Sequence, residues 1–423
     1  MAGRNPTTNR SRTVDAQARP ARRIARLGIR ANPAVQRDDD SATSTALSFT
    51  VTRSGNTAEQ SFVGWTVRGS GRNPADSWDF VDNTIPSGQL TFHPGETSRE
   101  ITIKVAKDSI PEPDETFRVT LTNAVGSTIR KRNSHAETTI RQSGANGWVF
   151  DWRDAKRLRG TRGILKTRLR IPNPRAGEPP ISVAAVRVDL SKPGINLSNT
   201  GRIANWEINS RETQTQTTRG FIRESRIQGT PVVAAINTSY FKLTDANRSV
   251  PADLLGFSVS NNQLVSPVAT YFPATCLVDK VTGARIQDIT PATAPSPSTL
   301  NLALSGGFRG EGIVLQDGIA QGDTITQNAR SALGLSRNNR FLTLLAVNRR
   351  LKDPKPTYFG AAIRDVGTIL AGFGSYTGLN LDGGGSTQLA LWKARAEKAT
   401  LFSRPLDGLE RYVGSNLGIT YTP

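Results

Sequence analysis

Gly378-Leu379-Asn380-Leu381-Asp382-Gly383-Gly384-Gly385-Ser386-Thr387-Gln388-Leu389 is the stretch on which the reading of the C-terminal two-thirds of the chain turns. Leu379 and Leu381 alternate with Asn380 as in a strand, which delivers Asp382 at its end. Three glycines follow, and glycine lets backbone approach a ligand closely. Several familiar meanings fall away. No Gly-Lys-Ser/Thr follows, so this is not a nucleotide phosphate loop. Gln388 to Trp392 reads as another strand rather than a helix, which removes a dinucleotide fingerprint. Ser386 has Gly384 two residues before it but Gln388 two after, so it is not a nucleophile elbow. The only histidines, His93 and His135, lie far upstream. A Ser-His-Asp machine or a His-ligated metal centre is therefore excluded from this body.

Outward from that stretch, Pro231 to Ile236 is an apolar run that delivers Asn237. Phe257 to Val265 reads as a hairpin turning at Asn261-Asn262, and Ala332 to Leu345 repeats the design around Asn338-Asn339. One helix is expected over 359–373, where Ala362, Val366, Ile369, Leu370 and Phe373 share a face. Residues 280–300, rich in Thr, Pro and Ser, read as a loop. After a short linker at 144–147 the body runs over 148–423 and reads as α+β.

Without histidine, the chemistry on hand is carboxylate, arginine, asparagine, tyrosine and backbone amide. That set suits glycosyl transfer from an anionic leaving group. A sugar 1-phosphodiester already carries a phosphate able to depart, so the site needs a forked cation for the phosphate. It also needs a carboxylate for the oxocarbenium-like carbon and donors for the sugar hydroxyls. The body resembles the phosphodiester glycosidase family in four blocks: Ala235 to Phe241, Ala329 to Gly334, Leu379 to Ser386 and Glu410 to Asn416. The resemblance implies catalytic roles for Asp382, Arg330, Asn237 and Glu410. It implies substrate binding by Asn380, Gly383, Gly384, Gly385, Ser386 and Arg411. Each residue also has a plain alternative. Asp382 could cap a turn, Arg330 could pair with Glu410, Asn237 could be a strand-end turn residue, and Glu410 and Arg411 could be a solvated pair. The glycines are expected to keep the space above Asp382 open.

Residues 38–141 have a different texture. Leu47, Phe49 and Val51 alternate with polar residues, and the same period recurs at 63–67, 90–92, 101–105 and 117–121. Turn signals separate these runs, so the segment reads as an all-β sandwich. Asp108, Glu112, Asp114 and Glu115 then crowd a Pro-rich loop, and hard carboxylate oxygens suit Ca²⁺. With Ala75 to Val81 and Pro94 to Thr97, this loop resembles the Calx-beta domain. The resemblance implies Asp79, Asp108, Glu112 and Asp114 as Ca²⁺ ligands, against an ion-free spacer with a solvated acidic loop. No cofactor is expected for catalysis itself.

The chain has 423 residues, 54 Lys plus Arg against 35 Asp plus Glu, and a formal charge of +19. By segment the net charge is +8 over 1–37, −3 over 38–141 and +14 over 142–423. The first 37 residues, with nine Arg, are expected to be a disordered basic arm able to contact an acidic surface. They lack the apolar centre of a secretory signal. The single Cys276 excludes an intrachain disulfide and a Cys-cluster zinc site. No apolar run is long enough for a membrane span. Together these readings predict a multidomain chain, a Calx-beta sandwich followed by an α+β phosphodiester glycosidase domain. The expected function is hydrolysis of sugar-1-phosphodiesters of a surface or capsular glycopolymer, in an extracellular, cell-surface or virion setting. The competing readings are a non-catalytic carbohydrate-binding or attachment protein that retains the fold, and a nucleic-acid binder. The last lacks any basic motif interleaved with aromatics.

Overall fold

The computed structural model describes residues 24–32, 44–106, 114–141, 149–173, 180–242, 245, 247–279, 281–348, 360–405 and 408–423. The contacts divide the chain into two compact units. The first comprises 1–68, 84–105 and 118–138; the second comprises 69–83, 106–117 and 139–423.

The alternating runs near the N-terminus form two four-stranded sheets. One has the order Ser98–Ala106, Ser44–Ser54, Ala25–Ala31, Ser127–Ile129; the other has Ser87–Phe92, Ser61–Gly69, Glu115–Val125, His135–Ile140. Phe49, Val51, Val63, Phe92, Ile101, Ile103 and Val119 are buried, and their polar neighbours point away, as the period of two requires. One expectation is corrected. Ala25–Ala31 is a strand rather than part of a disordered arm, and it pairs antiparallel with Ser44–Ser54 and parallel with Ser127–Ile129. Ala25, Leu27 and Ile29 are buried while Arg26 and Arg30 stay exposed, so the arginines decorate a strand that has a core face.

In the second unit an eight-stranded sheet runs in the order Ile319–Ala320, Ile313–Gln316, Thr377–Asn380, Arg330–Leu335, Phe341–Asn348, Ile181–Asp189, Ile164–Ile171, Lys156–Arg157. A five-stranded sheet has the order Ile195–Asn199, Asn416–Tyr421, Val232–Asn237, Leu389–Lys393, Lys398–Leu401. Leu333, Leu344, Leu379 and Leu381 from the first meet Ala234, Ile236, Leu389, Leu417 and Ile419 from the second in one buried cluster. A further five-stranded sheet, Gln263–Ser266, Ser258–Ser260, Leu302–Ser305, Ala274–Asp279, Gly283–Asp288, adds Cys276, Leu302 and Leu304 to that core. Burial pushes the Cys276 thiol up to about 12, so it behaves as a small apolar residue.

Two ten-residue α-helices cover the outer faces, so the body is far richer in strand than the α+β reading implied. Helix α1, Thr218–Ile227, packs Phe221 and Ile222 on Val232, Ala235 and Ala390. Helix α2, Ile363–Gly372, packs Ile363, Val366, Ile369 and Leu370 against Ala185, Val314, Ala332 and Leu345. The expected hairpins form, with Asn261, Asn262 and Asn339 in the left-handed region that tight turns need. The 280–300 segment is not all loop, because Gly283–Asp288 pairs along Ala274–Asp279. The linker at 144–147 lies outside the described residues.

Candidate active site

Asp382 stands where the chain leaves the eight-stranded sheet and crosses to the five-stranded one. Thr377–Asn380 pairs with Arg330–Leu335, and the ladder continues as Leu381 N–H donates to the Ser331 carbonyl at 2.8 Å. One residue on, Asp382 N–H turns to the Thr238 carbonyl, also at 2.8 Å, on the far sheet. The crossover is fixed from below by Asn237. Its Nδ2 donates to the Asp382 carbonyl at 2.7 Å, and its Oδ1 accepts from Ser331 Oγ at 2.6 Å and Gln388 N–H at 2.9 Å. Asn237 is wholly buried. Its amide thus joins three segments and holds the backbone of Asp382.

Burial pushes the Asp382 carboxyl up to about 7, against the opposing pull of the Ser386 hydroxyl, the Gly383 N–H and the Arg411 guanidinium. A carboxyl so placed exchanges a proton near neutrality. The Tyr240 phenol is driven up to about 12 by burial and by the nearby Asp382 charge, while Arg330 pulls it down. It therefore stays protonated and offers a donor. Arg330 is itself buried, and burial lowers its pKa. Its Nε donates to the Ala361 carbonyl at 3.2 Å and its Nη2 to the Thr326 carbonyl at 2.8 Å. Those two bonds hold the guanidinium near the Tyr240 phenol and the Glu311 carboxylate. Arg330 and Asp382 thus share a site through Tyr240, and Arg411 is the cation that acts on Asp382 directly.

Two of the three glycines also allow close approach by protein atoms. A Cβ on Gly385 would lie 2.0 Å from Cζ of Arg411, so the guanidinium rests on bare backbone. A Cβ on Gly383 would meet the Ala329 carbonyl at 2.7 Å, and Gly384, at φ +59, donates its N–H to that same carbonyl at 2.8 Å. A Cβ on Gly384 would meet only ordinary contacts with Asn328, at 3.7 Å, so the close neighbours are the Ala329 carbonyl at Gly383 and the Arg411 guanidinium at Gly385. Gln388 braces the arrangement, with Nε2 donating to the Arg411 carbonyl at 2.7 Å and Oε1 accepting from Thr218 N–H at 3.1 Å.

Glu410 is held at the start of helix α1. Its carboxylate accepts from Arg219 N–H at 2.9 Å and from Arg219 Nε, at the first turn of helix α1. Its side chain is almost fully buried there, and a carboxylate suits a helix N-terminus. It pairs with Arg219 rather than Arg330 and anchors the segment that presents Arg411.

Asn380 is wholly buried, with the Tyr240 hydroxyl as the hydrogen-bonding neighbour of its amide. Ser239 Oγ and Thr387 Oγ1 are buried without a partner. Unmade hydrogen bonds of this kind are costly in a closed core and common where a polar ligand completes them. Tyr240 and Thr387 are the residues that sequence reasoning did not single out. The exception to the usual apolar strand end, a hydroxyl run at Thr238-Ser239-Tyr240, was the available signal.

Of the expected Ca²⁺ ligands, Asp108 and Glu112 lie outside the described residues. Asp79 is buried and its Oδ2 accepts from Asp76 N–H at 2.6 Å, closing a 3₁₀ capping box. Asp114 Oδ2 lies 3.3 Å from Arg153 Nη2. Both carboxylates already have protein donors. Among the described residues no group of three or more His, Cys, Asp or Glu is placed to hold a metal ion. These two residues alone do not fit a Ca²⁺ site. Among the described residues no helix is long and apolar enough to cross a membrane.

Residues 230–420 match the model of the phosphodiester glycosidase family, and residues 37–144 match that of the Calx-beta domain. Among solved structures, the catalytic domain of zebrafish N-acetylglucosamine-1-phosphodiester alpha-N-acetylglucosaminidase is 16% identical, with 64% of this chain and 87% of that chain covered and a TM-score of 0.47. A hypothetical protein from Synechocystis is 14% identical over 90% of this chain and 80% of its own, with a TM-score of 0.45. The apo form of the Calx CBD1 domain is 18% identical over 27% of this chain and 95% of its own, with a TM-score of 0.21. No curated protein matches the chain.

Proposed function

With a phosphodiester glycosidase domain at 230–420 and a Calx-beta domain at 37–144 as premise, we propose that this chain hydrolyses the glycosidic bond of sugar-1-phosphodiesters. The observation that carries the reading is Asp382, a carboxyl raised to about 7 with Arg411 acting on it and Tyr240 and Arg330 beside it. In the reaction, the bond between the anomeric carbon and the phosphate oxygen breaks, and its electron pair leaves with the phosphate. Arg411 and Arg330 stabilise that departing charge as forked donors. The Asp382 carboxylate faces the electron-poor anomeric carbon. Water supplies the oxygen that replaces the phosphate, and its proton passes to Asp382, whose affinity for a proton suits exchange at neutral pH. The products are a free sugar and a phosphomonoester. The hydroxyls of Ser239 and Thr387 supply unmade hydrogen bonds for sugar hydroxyls.

The test is incubation of the purified chain with a panel of sugar-1-phosphodiesters and identification of the products. Release of free sugar from at least one member, lost in Asp382→Asn, is the expected result. Binding without turnover across the panel would instead favour a carbohydrate-binding protein that keeps the fold.

A further inference from the structure

Beside Asp382, the Tyr240 ring packs with two further aromatic rings that the reaction itself does not use. Tyr240, Phe272 and Phe308 pack in a triangle, with centroids 5.6 Å apart for Tyr240–Phe272, 5.4 Å for Tyr240–Phe308 and 4.6 Å for Phe272–Phe308. Phe272 is buried, whereas Phe308 is 49% exposed. Phe272 therefore backs the other two from the core, and the half-buried Tyr240 ring, whose hydroxyl feels Asp382, meets the open Phe308 ring directly.

The loop that carries Phe308 is tied to the site by backbone. Gly307 N–H donates to the Asn380 carbonyl at 2.9 Å, and Asn380 N–H donates to the Gly312 carbonyl at 2.7 Å. Residues 308–311 between these ties close a turn, with Glu311 N–H donating to the Phe308 carbonyl at 2.9 Å. Gly306 is required by this closeness, because a Cβ there would sit 2.2 Å from the Asn380 carbonyl oxygen. Arg309 N–H reaches the Tyr271 carbonyl at 2.8 Å, which joins the Phe308 loop to the segment that carries Phe272. Phe308 is thus held in place at the mouth of the site by the strand that ends in Asp382.

We propose that the open Phe308 ring, with Tyr240 beside it and Phe272 behind it, is a carbohydrate-stacking shelf that takes a pyranose ring next to the one being cleaved, so that the substrate is a glycan chain. The C–H faces of a pyranose are apolar and weakly positive, and they complement the negative face of an aromatic ring. Its hydroxyls project sideways, where Arg309 and Glu311 flank Phe308 in the chain. A protein partner is a poor fit, since a stable interface needs about 800 Å² on each side and three rings offer far less. Position decides the occupant: the shelf begins at a residue of the reaction site, so what lies on it is continuous with what reacts. The inference rests on the proposed reaction only for what the second ring is attached to.

Chitotetraose and maltotetraose are the probes, titrated into the full chain and followed by saturation-transfer NMR and calorimetry. The variants are Phe308→Ala and Phe308→Trp, each checked by its melting temperature. Because Phe308 is half exposed, neither substitution opens a core cavity. The expected result is binding of at least one oligosaccharide by the native chain, weakened about tenfold or more in Phe308→Ala and retained in Phe308→Trp. Equal binding by Phe308→Ala, or no binding of either probe by the native chain, would overturn the shelf. Hydrolysis of methyl N-acetylglucosamine-1-phosphate, measured in parallel on the native chain, separates the two readings. Binding that depends on Phe308 without hydrolysis removes the reaction and keeps the shelf; hydrolysis with binding indifferent to Phe308 does the reverse.

Discussion

The guanidinium of Arg411 lies on the backbone of Gly385, so close that a Cβ there would come within 2.0 Å of Cζ and 2.3 Å of Nε. The atoms in the way are the tip of a flexible side chain, and Gly385 does not adopt a positive φ. Gly385→Ala should therefore fold and melt normally but push Arg411 aside. Losing one forked contact to the leaving phosphate should lower kcat/KM by about tenfold or more, since a factor of ten is about 1.4 kcal/mol. Arg411 also pulls the Asp382 pKa down, so the pH midpoint of activity should move upward in the same variant. Steady-state kinetics across pH measures both, and unchanged kinetics would separate Arg411 from the chemistry.

Asp382 gives a pH prediction with two opposite signs. The reaction uses its carboxylate, so activity should rise with pH through a midpoint near 7, and Asp382→Asn should erase turnover by orders of magnitude. Stability runs the other way. The folded state holds this proton more tightly than the unfolded chain, whose carboxyl titrates at about 3.8. That stabilisation is full below the ordinary value and is lost as pH rises through 7. At pH 8 the native chain carries the cost of a buried charge and Asp382→Asn does not. The variant should melt higher at pH 8, by roughly 2–4 °C per kcal/mol relieved, and level with the native chain near pH 3. Calorimetry at the two pH values checks this, and a variant that melts lower at pH 8 would contradict it.

Asn237→Ala removes the amide that joins three segments. It leaves the Asp382 carbonyl, the Ser331 hydroxyl and the Gln388 N–H without their partner. Each buried group left unpaired costs roughly 1–3 kcal/mol, so denaturant unfolding should show a loss of several kcal/mol. Turnover should fall as well, because Asp382 loses its support. A stable but inactive Asn237→Ala would mean that the amide acts on the substrate.

Glu410→Gln tests the anchoring role of that residue. The charge sits at the start of helix α1 on Arg219. Its loss should cost about 1–2 kcal/mol of stability while turnover changes only a few-fold. A loss of turnover comparable to that of Asp382→Asn, with normal melting, would place Glu410 in the chemistry.

Much of this was legible in the sequence where the signal is local. The sandwich strands follow a strict period of two, and the strand into Asp382 and the hairpins at Asn261-Asn262 and Asn338-Asn339 carry their own turn chemistry. Pairings between distant segments were not legible. Nothing near Glu410 announces Arg219, and nothing near Gly385 announces that Arg411 will lie on it. Helix α1 was missed because only Thr218, Phe221 and Ile222 are buried on an otherwise polar turn pair. Ala25–Ala31 was hidden by its arginines, although Ala25, Leu27 and Ile29 already alternate. Tyr240 reads as an ordinary strand-end aromatic until Asp382, from a strand more than a hundred residues on, is placed beside it.

The most direct test of the account is hydrolysis of a sugar-1-phosphodiester by the purified chain in ¹⁸O-labelled water, with mass spectrometry of both products. Cleavage at the anomeric carbon, with Asp382 facing that carbon and Arg411 and Arg330 on the phosphate, places the label in the free sugar and leaves the phosphomonoester unlabelled. Label in the phosphate would show attack at phosphorus and contradict the assignment.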